Sequence, residues 1–183
     1  MKLLVILLLA FCAITHGCPT ILSKSAWGGK AAKCSSNRLP RPVKFVIIHH
    51  TAGEFCSSQS TCSAQARIAQ KHHMDNQGWC DIGYNFLVGE DGQVYEGRGW
   101  ANVGVHAPPY NSISIRISFI GTFTNRAPSA SALNAAQSLI RCGVSGGYIS
   151  SSYIVKGHRN VGSTECPGAK LYAIIKKWSN FKA

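Results

Sequence analysis

Val43-Lys44-Phe45-Val46-Ile47-Ile48-His49 is the stretch on which the fold turns. It is apolar apart from Lys44, rich in β-branched residues, and reads as a buried strand that ends in a histidine. Further along, Gln59 to Gln77 has helical character, with Ser60 or Ser63 as cap and Ala64, Ile68 and His72 along one side. Ile82 to Val88 and Gln93 to Gly97 read as strands joined by Gly89-Glu90-Asp91-Gly92, whose Asp-Gly marks a hairpin. Ile113, Ile115, Ile117 and Phe119 alternate with Ser112, Ser114, Arg116 and Ser118, the pattern of a half-buried strand. Leu133, Ala136, Leu139 and Ile140 recur at helical spacing within Ser131 to Cys142. Lys170 to Trp178 forms a last helix behind Pro167-Gly168, with Leu171, Ile174, Ile175 and Trp178 on its apolar side. Strands interleaved with three helices predict an α/β fold: a single domain with a central mixed sheet flanked by helices.

Ahead of that domain, Met1-Lys2 is followed by an uncharged stretch from Leu3 to Ile14 and then by Thr15-His16-Gly17. One cation, about a dozen apolar residues and small residues near the end predict a secretory signal peptide over Met1–Gly17. Its removal would leave Cys18–Ala183 as the functional domain, secreted and extracellular. The apolar stretch is too short to span a bilayer. Nineteen Lys and Arg against seven Asp and Glu give a net charge of +12. That balance suits polyanionic partners in general, or solubility alone. Nucleic acid is a poor partner, because the cations are scattered and no helix-turn-helix, zinc-finger or RNA-binding pattern occurs. Membrane insertion is no better supported: the last helix carries only Lys170, Lys176 and Lys177.

Of eight cysteines, Cys12 leaves with the signal peptide, and Cys18, Cys34, Cys56, Cys62, Cys80, Cys142 and Cys166 remain. Six can form three bridges, in any of fifteen ways, and one is left over. An odd thiol in a secreted chain is a reactive liability or has a partner such as a metal. Cys166 follows His158 by eight residues and precedes a Pro-Gly turn. His49, His158 and Cys166 together are two imidazoles and a thiolate, ligand types that bind Zn2+ while leaving a fourth position open. A site drawn from a strand end and a distant loop looks unlike the CxxC pairs of structural zinc sites.

Several motifs then carry a resemblance. They are Ser25-Ala26-Trp27-Gly28, Val46-Ile47-Ile48-His49-His50-Thr51-Ala52, Trp79-Cys80-Asp81-Ile82-Gly83-Tyr84-Asn85-Phe86, Val94-Tyr95-Glu96-Gly97-Arg98-Gly99-Trp100, Ile117-Ser118-Phe119-Ile120-Gly121-Thr122-Phe123 and Gly157-His158-Arg159. From Cys18 to Phe181 the chain resembles the short secreted peptidoglycan recognition proteins, relatives of the zinc N-acetylmuramoyl-L-alanine amidases. The resemblance implies zinc on His49, His158 and Cys166, and catalytic roles for Tyr84 and Thr164. It implies the bridges Cys18–Cys142, Cys34–Cys80 and Cys56–Cys62. Family members with serine in place of the cysteine bind without hydrolysis, so Cys166 favours an amidase over the alternative, a non-catalytic recognition receptor.

The substrate so implied is bacterial peptidoglycan, cut between N-acetylmuramic acid and the L-alanine of the stem peptide, in innate antibacterial defence. Zinc acidifies bound water and polarises a carbonyl, and a tyrosine hydroxyl can stabilise the developing oxyanion. Tyr84 is too weak an acid for an ordinary base, and Glu165 is a lesser candidate for proton transfer. By resemblance His50, His73, Gly78, Trp79, Tyr84, Arg98 and Asn111 fall on a muramyl-peptide groove. His50 follows a ligand on a strand and points to the opposite side unless the strand has ended. Of the adjacent His72 and His73, His72 is the better structural residue. In the family, Gly-Trp ahead of Cys-Asp-Ile-Gly-Tyr and an arginine at position 98 go with diaminopimelate in the stem. The physics agrees, because a guanidinium can grip the extra carboxylate bidentately. Arg116 stands where relatives have a small residue; it either adds an anion contact in the groove or faces solvent.

Overall fold

The computed structural model describes residues 17–105 and 108–183, without the side chain of Pro108. The expected signal peptide (all but Gly17) and His106 lie outside the described residues. Six strands form one sheet: β1 (Ile21–Leu22), β2 (Val43–His50), β3 (Phe86–Val88), β4 (Val94–Glu96), β5 (Ser114–Phe119) and β6 (Ile149–Gly157). Their order is β1-β4-β3-β5-β2-β6, with β3 and β4 antiparallel and every other neighbouring pair parallel. The helices are α1 (Gln59–Lys71), α2 (Ala130–Ser145) and α3 (Ala169–Ile175). This is the single α/β domain with a mixed sheet that the alternation of patterns predicts.

The apolar run lies between β5 and β6 and needs cover on both sides. On one side Val46, Ile48, Ile115, Ile117, Phe119 and Val155 pack with Ala132, Ala136, Leu139 and Ile140 of α2 and Leu171 and Ile175 of α3. On the other, Leu87 and Tyr95 pack with Ala66 and Cys62 of α1, together with Trp27 and Ile82. Three disulfides, Cys18–Cys142, Cys34–Cys80 and Cys56–Cys62, tie the layers together in the pairing that the family resemblance implies.

Several expectations need correction. The side of the first helix bearing Ala64, Ile68 and His72 is not the buried one: Ile68 is 60% exposed and His72 faces solvent. Cys62, Ser63, Ala66 and Gln70 face inward instead. Gln70 can be buried because its amide exchanges two hydrogen bonds with the Lys30 backbone and donates to Asp81. Ser58, not Ser60 or Ser63, caps α1, in a reciprocal box with Thr61. The β5 strand is buried on both sides, Ser114, Arg116 and Ser118 included. The strand expected from Ile82 shortens to Phe86–Val88, and the chain before it turns into the site. β1 and β6 escape the periodicity altogether; β6 carries Ser150-Ser151-Ser152 and meets β2 across a register shift.

Candidate metal centre and groove

Parallel pairing assembles the metal-type ligands. β2 and β6 run side by side with Ile48 opposite Gly157, so the next residue on each, His49 and His158, emerges at the same carboxyl rim of the sheet. A crevice outside the carboxyl ends of parallel strands is where α/β folds place their sites. The two imidazole centroids lie 4.3 Å apart. Cys166 arrives from the segment ahead of α3, where Arg159 N–H donates to its carbonyl at 2.9 Å and its own N–H donates to Thr164 Oγ1 at 3.2 Å. Its Sγ stands 3.7 Å from His49 Nδ1, and the ligand atoms of His49, His158 and Cys166 all lie within 4.8 Å of one another. Tetrahedral N and S ligands about 2.0–2.3 Å from zinc are roughly 3.3–3.7 Å apart, a range that the Cys166–His49 pair meets, and two imidazoles with a thiol are donor types which that ion takes. His50 N–H donates to Cys166 Sγ at 3.3 Å, the kind of contact that supports a metal thiolate.

Burial sets the protonation states around this centre. The Cys166 thiol, desolvated, is pushed up to about 12, against the pull of the His50 N–H and Arg159. Burial, with Arg159 and His158 beside it, holds His50 down at about 4; His158 is lowered by burial and then by Arg116. Tyr84 is driven above its ordinary value by burial and then by Cys166, so it stays a phenol and a donor. His50 does not turn its back on the site. Although it continues β2, its ring accepts the Phe123 N–H through Nδ1 at 3.2 Å, and it borders the same cavity as His49.

That cavity, about 300 Å³, is lined by His49, His50, His73, Trp79, Tyr84, His158, Thr164 and Cys166. A second one of about 380 Å³ is lined by Gly78, Trp79, Arg98 and Asn111. Trp79 and Val105 border both, and every residue that the family resemblance sets on the metal site or the groove lines one cavity or the other. His73, rather than His72, is the buried histidine: its Nδ1 accepts the Gly83 N–H at 3.2 Å and its ring stacks on Trp79 at 4.7 Å. Gly78 makes that stack possible, because at φ +67° it turns the chain through a conformation that side chains rarely adopt. Glu165 lies outside the cavity, its side chain 91% exposed beside Arg159.

Arg98 is held more tightly than its expected role requires. It donates from Nε to Ile82 O at 2.7 Å and from Nη1 to Ser36 Oγ and Val103 O at 3.0 and 2.9 Å. A bidentate grip on a ligand would have to share these donors; Nη2, whose only bond of this set is a long one of 3.4 Å to Asp81 O, is its most available nitrogen. Val105, Ser36 and the organising Asn85 escaped sequence reasoning, for nothing in residue type or spacing marks them.

Comparison with known proteins follows the same lines. Residues 39–169 match the family described as N-acetylmuramoyl-L-alanine amidase. The chain is similar to peptidoglycan recognition protein 1 of Bos taurus, with 49% identity over 179 residues, covering 97% of this chain and 94% of that one. It is similar to peptidoglycan-recognition protein SC2 of Drosophila melanogaster, with 48% identity over 182 residues, covering 100% and 98%. Among solved structures, the ectodomain complex of peptidoglycan recognition proteins LCa and LCx bound to tracheal cytotoxin superposes with a TM-score of 0.88 at 49% identity, covering 89% of this chain and 98% of that one. Peptidoglycan recognition protein LE in complex with tracheal cytotoxin, monomeric diaminopimelic acid-type peptidoglycan, does so with a TM-score of 0.87 at 43% identity, covering 89% and 96%.

Proposed function

This chain belongs to the peptidoglycan recognition proteins of the N-acetylmuramoyl-L-alanine amidase family, and from that premise we propose that it is a secreted zinc amidase. It binds bacterial peptidoglycan in the Trp79-lined groove and cuts the amide between N-acetylmuramic acid and L-alanine. The observation that carries the reading is the convergence of His49, His158 and the unbridged Cys166 beside Tyr84. A recognition protein without hydrolysis would not need a thiol kept out of three disulfides and turned toward two imidazoles.

When bound by those three residues, zinc supplies Lewis acidity toward water and the amide carbonyl. The rest is done by the chain's own residues. Tyr84, fixed as a neutral phenol, donates a hydrogen bond to the oxygen on which negative charge develops. His50 steadies the sulfur ligand through its backbone N–H, and Thr164 holds the turn that presents it. The stacked pair His73–Trp79 gives the stem peptide a flat wall. Arg98, Gly78 and Asn111 line the adjoining cavity, which suits an anionic stem residue of the diaminopimelate type.

The test is release of stem peptide from purified diaminopimelate-type peptidoglycan, with and without a chelator, beside Cys166→Ser. Release that requires zinc and vanishes in Cys166→Ser is expected. Binding without release, unchanged by chelation or by the substitution, would leave a recognition receptor.

A further inference from the structure

The chemistry proposed above makes no use of Arg116. The side chain is 0% exposed, on the face of β5 that also carries Ser118 opposite His49. Its Nη2 donates to Asn111 Oδ1 at 2.8 Å, whereas Nε and Nη1 meet no hydrogen-bond partner among the described residues. No ion pair among the described residues includes it. Burial and then the charge of Arg98 pull its pKa down to about 9, which leaves it a cation at neutral pH. A buried guanidinium without a counter-charge is costly, and an anion brought close relieves that cost.

Gly104 connects this charge to the groove. A Cβ on residue 104 would stand 1.8 Å from Arg116 Nη1, so the guanidinium rests against the backbone of a residue that lines the second cavity. Arg98 and Asn111 line the same cavity. The carboxylate that acts favourably on Arg98, that of Asp81, is itself engaged by Lys24 and Gln70. Arg116 also fixes Asn111 with its carbonyl oxygen toward the guanidinium, which turns the amide NH₂ the other way. Two cations and an oriented amide therefore meet at one pocket.

We infer that Arg116 is a specificity residue: with Arg98 it makes the Trp79–Asn111 end of the groove a subsite for a stem residue with a free carboxylate, and it discriminates against the carboxamide form. The inference rests on the proposed binding of muramyl peptides in this groove. Arg116 acts across the Gly104 backbone and through Asn111 rather than by direct contact.

The experiment is calorimetric titration with two muramyl tripeptides that differ only in whether the side-chain carboxyl of the third residue is free or amidated. It compares the wild type with Arg116→Met, which fills the space without charge, and Arg116→Lys, which restores charge. The wild type should bind the free acid about tenfold or more tighter than the amide, the scale of one charge-assisted interaction. Arg116→Met should lose about that factor for the acid and little for the amide, and Arg116→Lys should recover part of it. Equal acid-to-amide ratios in the wild type and Arg116→Met, or no preference in the wild type, would overturn the inference while leaving the groove assignment intact. A wild type that binds neither peptide would overturn the groove assignment and the inference with it.

Discussion

Asn85 is the residue whose loss should be felt most widely. Fully buried after Tyr84, it donates from Nδ2 to Gly99 O at 2.8 Å and Asn102 O at 2.9 Å, and accepts the Arg116 N–H through Oδ1 at 3.0 Å. It thereby ties β5 to the segment that carries Arg98. Asn85→Ala removes three hydrogen bonds of about 1 kcal/mol each and leaves the Arg116 N–H buried without an acceptor, a cost of about 1–3 kcal/mol. With some rescue by water at the two carbonyls, the net loss should be about 3–4 kcal/mol. At roughly 2–4 °C per kcal/mol for a domain of this size, the Tm falls by about 6–16 °C. Asn85→Asp keeps the acceptor for Arg116 but sets an oxygen against two carbonyl oxygens, so it should be no more stable than the alanine variant at neutral pH. Urea unfolding with the disulfides intact and zinc held constant measures both. An alanine variant within about 1 kcal/mol of the wild type, or an aspartate variant clearly more stable than it, would refute this account of the clamp.

Tyr84→Phe should slow stem-peptide release by about 10²–10³-fold, the usual effect of removing one oxyanion donor, at unchanged peptide affinity; a loss under about tenfold would take the phenol out of the chemistry. His73 makes stability depend on pH. Burial holds its folded pKa at about 4 against an ordinary 6.5, so above pH 6.5 it is neutral in both states and has no effect. As pH falls from 6.5 toward 4 the unfolded chain takes the proton first, and about 3 kcal/mol of stability is lost. His73→Gln, whose side-chain oxygen can still accept the Gly83 N–H, should lose less between pH 7 and pH 4.5 than the wild type in paired urea titrations; an identical loss would show that His73 is not the group titrating. Gly104→Ala places a Cβ 1.8 Å from Arg116 Nη1 and 2.7 Å from Gly83 O, which should cost about 1–3 kcal/mol. Adding Arg116→Gly should rescue it only in part, because the Gly83 carbonyl cannot withdraw; full tolerance of Gly104→Ala in thermal melts would contradict the packing described.

What could be read in advance follows from where the physics is local. The run from Val43 is legible because a strand buried on both sides has to be apolar, and His49 is legible because a histidine ending such a run is out of place in a core. His158 and Cys166 are legible as ligand types, although only the pairing of β2 with β6 brings His158 to His49. The face of α1 is misleading because its buried side is polar, made acceptable by Lys30 and Asp81 from elsewhere in the chain. The polar side of β5 misleads in the same way: Ser114 Oγ donates to Tyr110 O at 2.7 Å and Arg116 to Asn111. Such bonds join residues four or five apart through a loop, where periodicity carries no signal. Gly78, Trp79, Arg98 and Asn111 come together through turns whose geometry residue type does not announce, and family resemblance alone pointed to them.

The unbridged Cys166 bears on how the chain reaches this structure under oxidising conditions. Six bridged cysteines accompany it among the described residues, so seven thiols of the domain compete while the bonds form. Six thiols close three bridges in fifteen ways, and leaving any one of seven aside multiplies those ways sevenfold. An ion that captured the Cys166 sulfur early would remove that factor and act as a protecting group during oxidative maturation. Metal supply during biosynthesis would then govern the yield of correctly bridged protein as well as the activity of what emerges.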